Sequence, residues 1–556
     1  MVASSAARWT AAGSHRSAVT GRTVPAPWSA SVAAARSSIS ARRPINTTSC
    51  SLTSDQAIAR PMPVPPPETT ASPVTATSPL PRHLTVFTTD DGIPTGVDPM
   101  ADDRYDPAVP PETVEGVIAE DRAHLFYSWA AQRTIRPMPV AGASGSYFWD
   151  YQGNRYLDFA SQFVHVNIGH QHPRVVEAIQ RQAARLCTVS PAFANDQRAR
   201  AARLIAERAP GDLDRVLFTN GGTDAVEHAV RMARLVTGRP KVLAAYRSYH
   251  GGSHLALHLS GDSRRWAVDT GAAAAVHFFG PYLYRSAFHA ETPEQETTRA
   301  LAHLEQVVTL EGASTIAAVV LEPVVGTNGV LVPPPSYLAG VRELCDRFGI
   351  LFVADEIMAG FGRTGRWFAV QHWDVVPDLI TFAKGVNSGY VPLGGVIMSS
   401  RVAGAFADQP YPGGLTYSGH PLACAAAVAA ITAMDEEKTI ENAARLGAEV
   451  IGPGLRELAD RHPVVGDVRG LGVFWALELV RDRETREMLP PAGPSGGPPG
   501  PMEELASACQ ERGLWPLLHT NRVHVLPPCT ASEREVREGL RILDEALSVA
   551  DRHYRH

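Results

Sequence analysis

The sequence predicts an α/β fold: a large, mostly parallel sheet covered by helices, a smaller α+β unit beside it, and a disordered N-terminal extension. Three observations predict it. Between about residues 165 and 425, short β-rich runs alternate with helix-length amphipathic stretches, the pattern of a parallel sheet covered on both faces. Beyond 425 the order changes to helix, hairpin, helix, strand and helix, which reads as an α+β unit. The first 110 or so residues are rich in Ala, Ser, Arg, Thr and Pro and hold no acidic residue before Asp55.

That extension, taken as residues 1–112, includes "PMPVPPPETTASPVTATSPLP", which cannot bury enough apolar surface to offset ordering entropy. Its acid-free, Arg-rich start resembles a transit peptide. The near replacement of lysine by arginine points instead to a GC-rich genome and to Met100 as the true start. Overall, 556 residues with 44% hydrophobic and 19% charged are those of an ordinary soluble protein with a sizeable core. A net charge of −6 suggests neither nucleic acid nor an anionic membrane as partner, and no apolar run reaches transmembrane length. Cys50, Cys187, Cys345, Cys424, Cys509 and Cys529 form no CxxC pair and no framework spacing, so a reducing, cytoplasmic setting is expected.

Residues 113–164 are expected to be the first part of the smaller unit. There "GSYFWDYQGNRYLDFA" alternates aromatic and polar residues around a Gly-Asn turn and reads as a hairpin. In the large unit, 165–425, the strands are "RVLFTN", "KVLAAY", "TIAAVVLEP", "ILFVADE", "LITFA" and "GGVIMS". Helices such as "DAVEHAVRMARLV" and "SYLAGVRELCDRFG" lie between most of them. Residues 426–556 supply the rest of the smaller unit, with "VVGDVRGLGVFWALELV", a Pro/Gly loop at 489–501, "RVHVLPP" and a last helix "SEREVREGLRILDEAL".

Reactive groups in such sheets gather where strands end and helices begin. Four junctions stand out. "FTNGGTDAVEHAVRMAR" puts Gly221, Gly222 and Thr223 at a helix N-terminus, whose free N–H groups and dipole suit a phosphate, although a plain Thr cap would look the same. "YRSYHGGS" offers Tyr249 and His250 as flat rings beside a ligand, or as simple packing. "ILFVADE" buries Asp355 at a strand end, where a carboxylate needs a cation. "DLITFAKG" places Lys384, one of only three lysines in the chain, at another. Arginine cannot serve as a nucleophilic amine, so a retained lysine suggests imine chemistry. Asp355 and Lys384 could also be a mere ion pair. Pyridoxal 5′-phosphate would use all four junctions at once: a lysine for its aldehyde, an acid for its ring nitrogen, an aromatic platform and a phosphate cradle.

Residues 113–550 resemble a class III aminotransferase, a pyridoxal-phosphate enzyme of fold type I. The segment "ADEIMAGFGRTGRWFAVQHWDVVPDLITFAKGVNSGYVPLGGVIMS" is similar to the family signature over almost its full length. The resemblance implies Lys384 on the cofactor aldehyde, Asp355 on the pyridine nitrogen, Ile357 against the ring face opposite Tyr249, and Gly222 with Thr223 on the phosphate. Glu322, in "LEPVVGTNG", matches a family glutamate near the cofactor. Thr416, in "GLTYSGHPLACAAA", matches the threonine that reaches the neighbouring subunit's phosphate, so a homodimer with shared sites is implied.

Ornithine- and γ-aminobutyrate-type members carry a second glutamate and a C-terminal carboxylate-binding arginine where this chain reads Thr327 and His524. Losing that arginine makes glutamate and 2-oxoglutarate less natural partners. The departures look like the pyruvate-linked branch, such as taurine–pyruvate aminotransferases. A donor with its amine on a primary or unhindered carbon, pyruvate as acceptor, and ping-pong transfer through pyridoxamine phosphate are therefore expected. Tyr127, Trp129, Phe163, Val164 and His524 are the expected substrate pocket, each also readable as core. A racemase, aminomutase or lyase of the same family would keep Lys384 and Asp355. "GFGRTG" at 360–365 opens no helix, so a dinucleotide loop does not fit, and His170 and His172 lack the third ligand of a zinc site.

Overall fold

The computed structural model describes residues 113–268, 274–490 and 499–555. The expectations for the extension and for most of the 489–501 loop lie outside the described residues. In chain order the strands are β1 (Val140–Ser144), β2 (Tyr147–Asp150), β3 (Arg155–Phe159), β4 (Leu213–Thr219), β5 (Lys241–Ala245), β6 (Ala275–Phe278) and β7 (Ile316–Leu321). They continue with β8 (Leu351–Asp355), β9 (Leu379–Phe382), β10 (Gly394–Ser399), β11 (Val465–Leu471), β12 (Phe474–Leu479), β13 (Leu514–His519) and β14 (Arg522–Val525). Two seven-stranded sheets result, ordered β4-β10-β9-β8-β7-β5-β6 and β1-β2-β3-β13-β14-β12-β11.

In the first sheet β9, β8, β7, β5 and β6 run parallel, and β10 is antiparallel to both its neighbours. All residues of β7, β8 and β9 are buried, which is why these strands read as continuous apolar runs. Alternation still sorts their faces. Ala318, Val320, Leu351 and Val353 pack in one core with Val226, Ala229, Val230 and Ala233 of helix Gly222–Thr237. On the opposite face, Val319, Leu321 and Phe352 pack with Leu304 and Val341, from helices Pro293–Glu311 and Tyr337–Phe348. By the same parity, Glu322 and Asp355 leave the ends of β7 and β8 on the side of helix Gly222–Thr237.

The second sheet is antiparallel except where β3 pairs parallel with β13, which joins the two ends of the described chain. The β2–β3 hairpin turns through Gly153 at φ +81°, and Asp150 accepts backbone bonds from Gln152 and Asn154 across the turn. Strands β1, β6 and β13 were not expected. Strand β6 is four residues in an alanine-rich stretch, and β1 and β13 carry Gly or Pro, so none shows a strand pattern. The "GFGRTG" stretch forms turns. Its Arg363 is fully buried and donates to Pro527 O (2.6 Å) and Asn167 Oδ1 (2.7 Å). Among the described residues no helix is long and apolar enough to cross a membrane, and the five described cysteines are free thiols.

Glu478, on β12, ties the sheets together. Its carboxylate accepts hydrogen bonds from Arg469 of β11 (2.9 Å), from Arg285 (2.5 Å) and from the Tyr282 hydroxyl, the last two in the segment after β6. Burial favours its neutral form, but Arg469 first, then Tyr282, Arg522 and Arg285 outweigh this and bring it down to about 2. A carboxyl depressed in the folded state stabilises above its ordinary value of 4.5, and that contribution is lost as pH falls toward 2. Glu478→Ala is expected to cost about 3–5 kcal/mol in urea unfolding, because three guanidinium groups lose their shared counter-charge. The variant is also expected to lose the part of the wild-type pH dependence that lies below 4.5.

Candidate active site

Three parallel strand ends and one helix start meet at a cavity of about 730 Å³. Its lining includes Gly222, Thr223, Tyr249, His250, Glu322, Asp355, Ile357 and Lys384, so the four junctions converge on one space. A larger surface groove, about 910 Å³ beside Pro210, Trp367 and Asp435, contains none of them.

Asp355 is 3% exposed. Its Oδ2 accepts from His250 Nδ1 at 2.7 Å and its Oδ1 from the Ile357 N–H at 3.1 Å. Burial opposes a charged imidazole at His250. The hydrogen bond and charge of Asp355, helped by Glu322 and Asp262, outweigh it and raise the ring's affinity for a proton. His250, expected as a ring beside the ligand, lines the cavity, and its polar edge also holds Asp355, because a buried carboxylate needs a donor. Glu322 joins two loops, accepting from Tyr249 N (2.9 Å) and Gly326 N (2.8 Å). Burial, with the charge of Asp355, pushes its carboxyl up to about 7, although His250 and the two N–H donors oppose the rise.

Lys384 sits in a left-handed conformation at φ +46°, just beyond β9. Such backbone is strained for a residue with a Cβ and is held only where the surroundings over-determine it. Among the described residues Lys384 and Asp355 make no ion pair, and Nζ makes no hydrogen bond. Burial pulls its amine down to about 8, despite the opposing charges of Asp355 and Glu322. The helix Gly222–Thr237 has no side-chain cap at Gly221, and Thr223 Oγ1 accepts from Gly252 N (3.2 Å) instead of capping. A Cβ at Gly222 would stand 2.8 Å from Ile357 Cδ1, so glycine is what lets the helix start beside that side chain. Uncapped N–H groups, an unbonded lysine and a strand-end carboxylate suit pyridoxal phosphate.

The remaining expected residues divide. Trp129, Phe163 and Val164 line the cavity, with Trp129 edge-on to both Phe163 (6.0 Å) and Tyr249 (6.4 Å). Tyr127 does not, and its hydroxyl donates to Asp121 (2.6 Å). His524 does not either. It is fully buried in β14, with Nδ1 near Leu517 O (3.3 Å), and burial with His519 and Arg522 lowers it to about 3, so it is a neutral core group. Thr416 is exposed and lines nothing in its own chain's cavity. Sequence reading missed Arg264, Met358, Leu517, Leu518 and His519, which complete the wall. Only the basic "SGDSRRW" turn, just after the Tyr249 loop, could have drawn attention to Arg264.

Two measurements check this geometry. Labelling of the apo-protein by pyridoxal phosphate and borohydride is expected to speed up with pH and level off above about 8, since below that value the amine is protonated and not nucleophilic. Lys384→Ala should abolish the label. Asp355→Asn is expected to lower turnover by about 10²–10³, the scale for loss of one preorganised electrostatic partner, with KM little changed.

Residues 128–547 match the family model described as Aminotransferase class-III. The chain is 36% identical over 425 residues to the 5-aminovalerate aminotransferase DavT of Pseudomonas aeruginosa, covering 74% of this chain and 94% of that protein. It is 32% identical over 463 residues to the taurine–pyruvate aminotransferase of Rhodobacter capsulatus, covering 79% and 98%. Among solved structures, the taurine:2-oxoglutarate aminotransferase of Bifidobacterium kashiwanohense, in complex with pyridoxal phosphate and glutamate, superposes with a TM-score of 0.76. It is 40% identical, over 80% of this chain and 99% of that one. The chain thus belongs to the class III aminotransferases, enzymes that depend on pyridoxal phosphate.

Proposed function

We propose that this aminotransferase takes the amino group from a donor with its amine on a primary or unhindered carbon, an ω-amino acid or simple amine, and delivers it to pyruvate in a ping-pong cycle. The observation that carries this reading is the cavity wall: Trp129, Phe163, Val164, Met358, Leu517 and Leu518 make it apolar, and Thr327 and His524 supply no second glutamate or C-terminal arginine. The acceptor in the name of the Rhodobacter relative supports pyruvate, while the Bifidobacterium relative is named for 2-oxoglutarate.

Pyridoxal phosphate supplies the electron sink and carries the amino group between the half-reactions. The chain does the rest. Lys384 Nζ, its amine pulled down to about 8 by burial, takes the proton from the donor's amine-bearing carbon. Asp355, held by His250, would favour the protonated form of the cofactor's pyridine nitrogen. Tyr249 and Ile357, which line the cavity, would hold the cofactor's ring, and the N-terminus of helix Gly222–Thr237 would take its phosphate. The exposed Thr416, Trp129 (69%) and Phe163 (61%) are read as surfaces that a second copy covers, with Thr416 reaching the other subunit's phosphate site in a cytoplasmic homodimer.

The test is spectroscopic. The holoenzyme's visible band should be bleached by ω-amino donors and restored by pyruvate, and Lys384→Ala should lack the response. Faster recovery with 2-oxoglutarate than with pyruvate would overturn the acceptor assignment. A band that no donor bleaches, with product of inverted, rearranged or eliminated substrate, would move the reaction to racemase, aminomutase or lyase chemistry.

A further inference from the structure

We propose that Arg264 is the receptor for the carboxylate of the oxo acid acceptor, an assignment that rests on the transamination reading above. Among the residues lining the cavity, Arg264 and Lys384 are the only lysine or arginine side chains. An oxo acid entering this space meets Asp355 and Glu322, so its own negative charge needs a partner there.

The way Arg264 is held leaves one edge for that partner. Asp262 accepts from Nε at 3.1 and 3.0 Å and from Nη2, taking one side of the guanidinium plane. Asp262 is itself fixed by the Arg264 N–H (3.0 Å) and by Asn328 Nδ2 (3.1 Å). One face of the guanidinium lies over the Tyr249 ring, 3.6 Å from its centroid. Nη1 makes no hydrogen bond to the described residues, and the side chain is 22% exposed. What remains is the end-on edge formed by Nη1 and the second hydrogen of Nη2, in a fork that matches a carboxylate. Because Asp262 and Tyr249 have already fixed the side chain, little rotamer entropy is lost when an anion docks.

Among the described residues no other guanidinium lines the cavity. Arg469, Arg285 and Arg522 surround Glu478, and none of them lines the cavity. His524 is fully buried and does not line the cavity. A competing reading gives Arg264 only a structural part, as a clamp on Tyr249.

Holoenzyme with a simple monoamine donor separates the two. Arg264→Gln should raise KM for pyruvate about 10- to 100-fold more than it changes KM for the uncharged acceptor propanal, the scale of a lost charge-assisted pair. Arg264→Lys should fall between, keeping charge without the fork. Equal losses with pyruvate and propanal would overturn the receptor and leave the clamp. Propionate, which cannot be aminated, gives a reading free of turnover: its perturbation of the holoenzyme's visible band should weaken by a similar factor in Arg264→Gln. If propionate binding depends on Arg264 but the wild type transfers no amino group, the receptor stands and the transamination reading falls. If the wild type transfers normally and the variant binds propionate unchanged, the receptor falls alone.

Discussion

The register of three parallel strands is the constraint on which the site depends. Leu321 of β7 pairs with Ala354 of β8, and Asp355 of β8 pairs with Thr381 of β9. The strands end at or just past those pairs: Glu322 follows Leu321, Asp355 is the last residue of β8, and Lys384 lies two residues beyond Phe382, so the three emerge at one edge. A slip of one residue would send Asp355 to the opposite face, away from helix Gly222–Thr237 and the cavity. Such a slip is prevented by near-complete burial on both faces: with Phe352 and Val353 committed to different cores, no other register fits.

Burial then sets the electrostatics. Asp355 is almost without solvent, and its Oδ2 is held by His250 Nδ1 at 2.7 Å. Lys384 has no direct partner among the described residues, so desolvation prevails and its amine is drawn toward neutrality. The same desolvation raises Glu322, which sits beside the charge of Asp355. Glu478 goes the other way, because three arginines and a tyrosine hydroxyl surround it. One cluster is arranged for a proton to move and the other for two sheets to stay together. The difference lies in how completely each buried charge is matched.

Much of this was legible. Continuous apolar runs ending in Asp355 and before Lys384 marked parallel strand ends, and the glycines before Thr223 marked a helix start. The expected strands β4, β5, β7, β8, β9 and β10 all appear. Strand β6, four residues in an alanine run, did not show, because its pairing with β5 rather than any local pattern makes it a strand. His524 and Tyr127 misled for a related reason. Polar and aromatic residues near a motif read alike whether they face a cavity or pack beneath it, and only the fold assigns the side.

The sequence by itself determined the chemistry available: a retained lysine, a strand-end aspartate, a glycine-led helix and a family signature, because these depend on residue type and short-range spacing. The tertiary structure decided which groups act together. It turned His250 onto Asp355, withdrew His524 into the core and brought Arg264 over Tyr249 with one edge free. Such pairings join residues up to 105 positions apart, and sheet order and loop closure set their distances, not any period in the chain.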